Sequence, residues 1–382
     1  MERARAYCGI LIGTLLLAGC GGGGGDGGTP AAPDTQEQTQ TPDKVAKFSS
    51  RPDNSGCVAP DDAVDTAAML SDTGCFTDTA TQTVADGVIP YTVNSVLWSD
   101  GESKGRYFAI PDGSTIDLEV DESGIVDSNG IQNGDFDFPI GSVVIKNFYS
   151  GSRIVETRLL SNHANDGWVG YAYQWNVTQT DATLLTSFKE ITSPVSHYFP
   201  SRQECMDCHT DGALVILGPD TLQLNYTLYY DDDTEENYLD ALDRLGYFTA
   251  SPLPAYKDNR LYAINDTSAT LEQKSRSYLH SNCSGCHRTG APQGGYGDMR
   301  YNSSFAANVC GVTASHEDSP VGGVLVDPGD ADNSTVFQRI SAPDSNAGLS
   351  ENIKMPPVGR ETVDDEAKGV IEAWINGLSA CD

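Results

Sequence analysis

Basic side chains are scarce in this sequence. Its 382 residues include 23 lysines and arginines against 54 aspartates and glutamates, which gives a formal net charge of −31 at pH 7. A surface with this charge repels phosphate backbones and anionic lipid headgroups. Nucleic acid is therefore excluded as a partner. The acidic exterior fits either simple solvation or the steering of a basic partner protein.

Long apolar runs are also missing. No stretch after the first twenty residues has roughly 18 consecutive apolar positions, so no transmembrane helix is expected. The first twenty residues carry Arg3 and Arg5 ahead of an apolar run at 10–18 that is too short to span a bilayer. This arrangement predicts an export signal, and the protein is expected outside the cytoplasm.

Apolar side chains remain rare in the next segment. Residues 21–28 are almost all glycine, and Pro, Thr, Gln and Asp dominate up to residue 45. A segment of this composition has too little apolar surface to form a packed core. We expect residues 20–50 to be a flexible tether.

Histidine is uncommon, with six residues in the whole chain, yet two histidines close C-x-x-C-H pentapeptides at 205–209 and 283–287. This pattern marks covalent c-type haem attachment. At the start of a helix, positions i, i+3 and i+4 share a face. Two thiols then reach the haem vinyl groups while the imidazole faces the iron. The predicted cofactors are two haem c groups, held by Cys205, Cys208, His209, Cys283, Cys286 and His287.

Two other uses of C-x-x-C pairs fit less well. Zinc half-sites usually lie about 15–20 residues apart, whereas these pairs begin at residues 205 and 283. Zinc also does not require a histidine directly after each pair. A thioredoxin-like redox pair is typical of a βαβ pattern, which surrounds neither motif.

Met355 is the predicted sixth ligand of the second haem. It lies in a Lys-Met-Pro-Pro segment ahead of the last predicted helix, where proline removes backbone donors and keeps the preceding residue extended. A His/Met pair fills both axial positions and raises the iron potential, which favours electron transfer over ligand binding. Met299, which is much closer to His287 in sequence, is expected in the wall of the haem site.

The first haem has no such methionine, because none lies between Cys208 and the second motif. The candidates for its sixth ligand are, in order, His163, His280 and His197. An open iron is the alternative, and it would permit peroxide or ligand chemistry.

Four further cysteines are expected in the exported chain: Cys57, Cys75, Cys310 and Cys381. Their even number suits an oxidising compartment. Three connectivities are possible. We predict the local one, Cys57–Cys75 and Cys310–Cys381, because each pair then lies within one proposed domain.

Residues 85–195 are predicted to be β structure. Gly, Asn, Asp or Pro separate six segments rich in β-branched and aromatic residues, namely 91–98, 106–110, 142–149, 153–160, 170–177 and 184–191. An antiparallel sandwich or barrel-like domain over residues 51–198 is expected. The Asp-, Asn- and Gly-rich loop at 121–137 is either a solvated hairpin loop or a calcium site, although it lacks EF-hand spacing.

Helical signals follow in the second half, at 234–245, 271–282 and 363–378. They predict a mainly α-helical, cytochrome c-type di-haem region over residues 199–382. The expected fold class is therefore α+β.

The first twenty residues also carry a resemblance. Leu-Ala-Gly-Cys at 17–20 resembles the bacterial lipoprotein signal, which implies a signal peptide over residues 1–19 and a lipid on Cys20. The implied location is the periplasm or outer membrane of a Gram-negative bacterium, with the lipid as the only membrane anchor. Gly21, rather than aspartate, favours the outer membrane.

The chain from about 85 to 380 resembles a bacterial family of exported di-haem c-type cytochromes. The resemblance rests on short segments in the β region and around both haem motifs: 96–101 (Val-Leu-Trp-Ser-Asp-Gly), 138–141, 156–158, 173–176, 199–202, 205–209, 217–218, 223–225, 278–283, 327–330 and 355–357. It implies haem ligation by the two motifs and Met355, and a β region coupled to the haem region. It implies no particular substrate.

We expect electron transfer between periplasmic or cell-surface redox proteins, and so an electron carrier rather than a catalyst. Two alternatives stay open. One is a peroxidase-like di-haem enzyme with an open first haem, and the other is a ligand-binding β domain that uses the haems as a relay.

Overall fold

The computed structural model describes residues 44–54, 56–119, 134–193, 195–213, 215–251, 259–291, 293–314, 323–343, 353–357 and 359–381. The predicted signal peptide, Cys20 and most of the predicted tether lie outside the described residues. Within the described ranges, no helix is long and apolar enough to cross a membrane.

Fourteen strands occur in the described ranges, and most contain only two or three residues. In chain order they are β1 (Phe76–Asp78), β2 (Thr83–Val84), β3 (Ile89–Tyr91), β4 (Ser103–Ala109), β5 (Asp117–Glu119), β6 (Asp135–Asp137), β7 (Val143–Ser150), β8 (Arg153–His163), β9 (Gly167–Trp175), β10 (Ala182–Leu184), β11 (Lys189–Ile191), β12 (His197–Phe199), β13 (Thr227–Tyr229) and β14 (Glu235–Asn237).

Six of these strands form one antiparallel sheet with the order β10-β9-β8-β7-β4-β3. The predicted sandwich or barrel is wrong, because this sheet stays open, with β10 and β3 at its edges. The other strands pair only as β1–β2, β5–β6, β11–β12 and β13–β14. With two or three residues each, they are too short to build a second sheet that packs on the first.

The two faces of the sheet have different chemistry. Arg106 of β4, Lys146 of β7 and Arg158 of β8 are cross-strand partners, so they share one face. Ile145 and Leu159 are also partners, point to the opposite face and are almost completely buried. That second face packs in a hydrophobic cluster with the segment around residues 57–88.

Six α-helices occur in the described ranges: α1 (Arg202–Cys208), α2 (Tyr238–Arg244), α3 (Leu271–Cys283), α4 (Phe305–Asn308), α5 (Thr335–Ser341) and α6 (Asp365–Gly377). The prediction of a mainly α-helical region over 199–382 is wrong. Four of the six helices have seven residues or fewer, and they are separated by the β13–β14 hairpin, 3-10 turns and loops. Frequent Gly, Pro, Asn and Asp interrupt the helical pattern, because these residues favour turns.

The helix predicted over 234–245 is shorter than expected. Residues 235–237 pair with β13 instead. The helix α2 begins at Tyr238, where the Asn237 side chain accepts a hydrogen bond from the Leu239 N–H at 2.9 Å. The local helical signal was therefore correct only beyond the hairpin.

The two longest helices, α3 and α6, pack against each other. Thr270 and Gln273 form a capping box at the start of α3. Asp364 caps α6 by accepting from the Ala367 N–H at 3.0 Å. The buried face of α6 follows the expected 3.6-residue period and meets Tyr278 and Leu279 of α3 in a second hydrophobic cluster.

Both predicted disulfides are confirmed. Cys57 pairs with Cys75, and Cys310 pairs with Cys381. The second bond ties the segment after α4 to the end of the chain, 71 residues away. The cysteines of the two pentapeptides are free thiols.

A third hydrophobic cluster joins the first face of the sheet to the chain beyond residue 199. It contains Phe108 and Val144 of the sheet together with Tyr238 and Leu242 of α2. Phe108 also meets the ring of Tyr247 edge to face, with centroids 5.7 Å apart. The β-rich and haem-motif segments therefore share a core, while the domain boundary placed at residue 198 stays a prediction.

Candidate cofactor cavity

One cavity of about 740 Å³ lies between the sheet and the two pentapeptides. Its volume is in the range of cofactor sites. Every residue predicted to hold haem by a motif or by Met355 lines it: Cys205, Cys208, His209, Cys283, Cys286, His287 and Met355. The fold thus brings together three segments that are far apart in sequence.

The first pentapeptide occupies the end of α1. Ser201 caps this helix, since its hydroxyl accepts from the Glu204 N–H at 3.3 Å and Glu204 accepts from the Ser201 N–H at 2.8 Å. The helical turn continues to the His209 N–H, which donates to the Cys205 carbonyl at 3.1 Å. Cys205 and His209 are therefore one turn apart, with Cys208 between them.

His209 is held as a neutral imidazole. Its Nδ1 lies 2.6 Å from the carbonyl oxygen of Val215, so Nδ1 carries the proton and Nε2 keeps its lone pair. Burial lowers the pKa of His209 to about 3, and the nearby charges of Lys146 and Arg158 act in the same direction. A neutral imidazole whose other nitrogen is fixed by a backbone carbonyl is the usual form of a metal-binding histidine.

Neither pentapeptide lies at a helix start as predicted: the first ends α1, and the second begins at the last residue of α3. A further turn follows, in which the His287 N–H donates to the Cys283 carbonyl at 2.8 Å. Burial and the Arg339 guanidinium lower the pKa of His287. A hydrogen bond with the Tyr296 backbone raises it, but this effect is smaller. His287 is therefore also neutral and able to bind a metal.

The two pentapeptides are direct neighbours. The Cys286 thiol donates to the carbonyl of Asp207 at 3.9 Å. An interaction with the Cys208 thiol lowers the pKa of Cys286 to about 7, and the same contact raises the pKa of Cys208. Nothing in the sequence reveals this proximity, because the motifs are separated by the whole segment from 210 to 282.

Glycines allow the segments after the two motifs to pack closely. A Cβ at Gly212 would lie 2.5 Å from backbone atoms of Gly290 and Ala291. A Cβ at Gly285 would lie 2.8 Å from the side chain of Leu217. Larger residues at these positions would push the two motifs apart.

Met355 is anchored at the edge of the cavity. Its N–H donates to the Arg339 carbonyl at 3.2 Å, and its side chain lines the cavity. Met299 also lines the cavity, but it is buried in the second hydrophobic cluster and its N–H donates to the His287 carbonyl at 2.9 Å. This location fits a wall residue.

His163 lies away from the cavity. It ends β8, is buried, and is not among the lining residues. Its Nδ1 lies 2.7 Å from the Pro60 carbonyl oxygen, and its Nε2 lies 2.8 Å from the Tyr171 hydroxyl. Both ring nitrogens are therefore engaged in hydrogen bonds.

His280 lines the cavity but is held on both sides. Its Nδ1 accepts from the Tyr301 N–H at 3.0 Å, so Nε2 carries the proton that it shares with Asp220 at 3.2 Å. This arrangement leaves no free lone pair for a metal.

His197, the first residue of β12, lies between two carboxylates. Its Nδ1 is 2.7 Å from Glu102, and its Nε2 is 2.8 Å from Glu156. Burial alone would lower the pKa of His197, but the two carboxylates outweigh it and raise the pKa to about 9. All three predicted sixth ligands of the first haem thus have other partners, and His316 lies outside the described residues.

The cavity wall contains a row of basic residues that was not predicted from the sequence. Arg106, Lys146 and Arg158 lie side by side on the sheet and line the cavity. Burial, together with the two arginines, lowers the pKa of Lys146 to about 7. A signal was present, because Lys146 alternates with the buried apolar residues Val144 and Phe148 on one face of the strand.

The Val-Leu-Trp-Ser-Asp-Gly segment at 96–101 forms hydrogen bonds both with the second motif and with the chain after Met355. The Trp98 N–H donates to the Asn282 side chain at 2.8 Å, and Asn282 donates to the Val96 carbonyl at 3.2 Å. Asp100 accepts from the Thr362 N–H at 2.7 Å. This segment therefore positions the second pentapeptide, and its residues Leu97, Trp98 and Ser99 line the same cavity.

No group of three or more His, Cys, Asp or Glu side chains that could hold a bare metal ion occurs among the described residues. Most of the loop considered for calcium, residues 120–133, lies outside them. The donor set in the cavity instead fits haem c: paired free thiols, neutral imidazoles and a thioether.

No family model, curated protein or solved structure matches the chain. The resemblance to exported di-haem cytochromes therefore stays a prediction.

Proposed function

We propose that this protein is an exported di-haem c-type cytochrome that carries electrons between redox partners outside the cytoplasm. One observation carries the proposal: both C-x-x-C-H pentapeptides and Met355 line a single cavity. Chance placement of two such motifs would not bring four free thiols, two neutral imidazoles and a thioether together.

The roles of the lining residues follow from their chemistry. Cys205 and Cys208 would hold the first haem through thioether bonds, with His209 as its proximal ligand. The second haem would be held by a parallel set: Cys283, Cys286, His287 and Met355. Haem supplies a one-electron iron couple when bound.

The chain's own contribution is orientation and burial. The Val215 carbonyl fixes the tautomer of His209, and the Arg339 carbonyl holds the backbone of Met355. The sheet and residues of the second hydrophobic cluster form walls of the cavity that the two histidines line. Close packing of the two motifs keeps the redox centres adjacent, which suits a carrier that takes an electron at one centre and releases it from the other.

Export is part of the proposal. Two disulfides suit an oxidising compartment, and the signal-like start of the sequence with Cys20 supports a lipid anchor in the periplasm or outer membrane. The partners would be periplasmic or cell-surface redox proteins, attracted to an acidic surface.

The test is to produce the exported chain with a cytochrome c maturation system and to measure its mass and haem content. We expect two haem equivalents that resist extraction by acid and organic solvent. The Cys205→Ser/Cys208→Ser and Cys283→Ser/Cys286→Ser variants should each lose one equivalent. A colourless wild-type protein of unmodified mass would overturn the proposal.

A peroxidase-like enzyme is the second candidate, and one observation favours it: His163, His197 and His280 are all engaged elsewhere. If the sixth position of the first haem is empty, the resting protein contains a high-spin haem that reacts with hydrogen peroxide. Spectra and a peroxide assay on the two-haem protein separate the candidates.

A further inference from the structure

None of the three candidate histidines is free to fill the sixth position of the first haem. His163 is outside the cavity, and His280 and His197 use both ring nitrogens. Met299 and Met355 also line the cavity, but on the side of the second motif. The Met299 N–H donates to the His287 carbonyl, and the Met355 N–H donates to the Arg339 carbonyl. The donor must therefore be sought elsewhere in the wall.

Lys146 is the basic residue of the cavity wall whose side chain has no hydrogen-bonding or ion-pair partner among the described residues. Its amine makes no hydrogen bond or ion pair with any described residue. Its neighbours differ: Arg158 holds Glu156 through two hydrogen bonds at 2.8 and 2.9 Å, and Lys104 donates to the Leu97 carbonyl at 2.5 Å. Lys146 is half-buried and lines the cavity, so its amine is available to a group that fills the cavity.

The location of Lys146 matches the first haem and not the second. The sheet lies directly against α1, because a Cβ at Gly170 of β9 would be 2.7 Å from the Cβ of Cys205. Lys146 is close enough to Cys205 and His209 for its charge to act on both. The cation that acts on His287 is Arg339 instead.

The two arginines beside Lys146 cannot bind a metal, whereas Lys146 can. Arg106 and Arg158 lie on either side of Lys146 in the same cross-strand row. Guanidinium groups cannot give up a proton in a protein and have no lone pair to offer. An amine can donate its lone pair once its proton has passed to solvent, so Lys146 is the one member of the row that can bind a metal.

We propose that the amine nitrogen of Lys146 is the sixth ligand of the first haem, an inference that rests on the proposed function. The bond is a dative one from the neutral amine to the iron. The first haem is then a six-coordinate His/Lys centre, while the second is a His/Met centre. With both axial positions filled, each haem transfers electrons and does not bind small molecules.

The decisive variants are Lys146→Ala and its matched control Lys104→Ala, which removes another cavity-lining lysine. Each is made in the full chain with both haems attached and is studied by absorption and electron paramagnetic resonance spectroscopy. We expect two low-spin haems in the wild type and in Lys104→Ala. In Lys146→Ala, one haem of the two should become high-spin, and added methylamine or imidazole should restore its low-spin spectrum.

Two further variants identify the haem. Lys146→Met should keep both haems low-spin and raise the reduction potential of one, because a methionine ligand raises it. The double variant Lys146→Ala/Met355→Ala should contain two high-spin haems. If adding Lys146→Ala to Met355→Ala produces no second high-spin haem, Lys146 does not serve the first haem.

Other outcomes overturn the inference without touching the proposed function. A wild-type protein with two haems, one of them high-spin, would show that no side chain fills the position. Two low-spin haems in Lys146→Ala, with only a shift in reduction potential, would assign Lys146 to a haem propionate. Absence of haem from the wild type would instead be a failure of the proposed function.

Discussion

The Cys286 thiol of the second pentapeptide donates a hydrogen bond to the Asp207 carbonyl of the first, across 3.9 Å. The two pentapeptides therefore form one unit, although 73 residues lie between them. The haems they would carry are neighbours, and electrons could pass between them without a long intervening path of protein.

Close packing at Gly212 should be essential to this unit. Gly212→Ala places a Cβ 2.5 Å from backbone atoms of Gly290 and Ala291, and such overpacking typically costs about 1–3 kcal/mol. We expect denaturant unfolding of the two-haem protein to show a loss of this size. Gly295→Ala, where nothing lies within 4 Å of the added Cβ, is the control. An equal effect of both substitutions would contradict the role of the contact.

Met355, and not Met299, should control the second haem. Met355→Ala should convert one haem of the two to high spin and lower its reduction potential, because the thioether is lost. Met299→Leu should leave both spectra unchanged, since Met299 fills a place in the second hydrophobic cluster. Absorption spectra and potentiometric titration make the measurement. The reverse pattern would assign the ligand to Met299.

His197 should make stability depend on pH. Its pKa of about 9 is above the ordinary value of 6.5, so its stabilising effect is complete below pH 6.5 and is lost as pH rises through 9. The shift corresponds to about 3 kcal/mol. Chemical unfolding between pH 6 and 10 should reveal this decline in the wild type.

The variant Glu102→Gln tests the cause of that decline. It removes one of the two carboxylates that raise the pKa of His197, so the decline should become smaller and should end at a lower pH than in the wild type. An unchanged profile in Glu102→Gln would mean that another group produces the pH dependence.

The Cys310–Cys381 disulfide should be a large contributor to stability. It closes a loop with a sequence separation of 71, and loop-closure entropy predicts a contribution of about 4 kcal/mol. The double variant Cys310→Ser/Cys381→Ser should lower the free energy of unfolding by that order while keeping two haems. A loss below about 1 kcal/mol would mean that the second cluster alone holds the C-terminus.

Local signals predicted the residues that line the cavity and the two disulfides better than the architecture. The pentapeptides, Met355 and the local disulfide pairs depend on residues close in sequence or on simple pairing rules. The six-stranded sheet matches several predicted segments, but the sandwich was wrong because strand length, and not residue type, decides whether a second sheet forms. The mainly helical region was wrong because residues 235–237 pair as a strand and loops occupy much of the remainder.

Long-range partners explain what sequence analysis missed. His197 is engaged by Glu102 and Glu156, which lie 95 and 41 residues away. The Nδ1 atom of His163 is hydrogen-bonded to the carbonyl of Pro60, which is far away in the sequence. Lys146 reaches the cavity only because β7 is central in the sheet, a position that depends on the pairing of β4 and β8.

The cavity wall is assembled from segments as distant as Val93 and Gly359, and this has a consequence for biogenesis. The enclosure does not exist until nearly the whole polypeptide has emerged and folded. If haem is attached as proposed, the attachment enzyme would have to reach each pentapeptide while its thiols are still accessible, before the sheet closes over α1. Haem attachment would then precede the final folding step, and the last tertiary contacts would form around the attached haems.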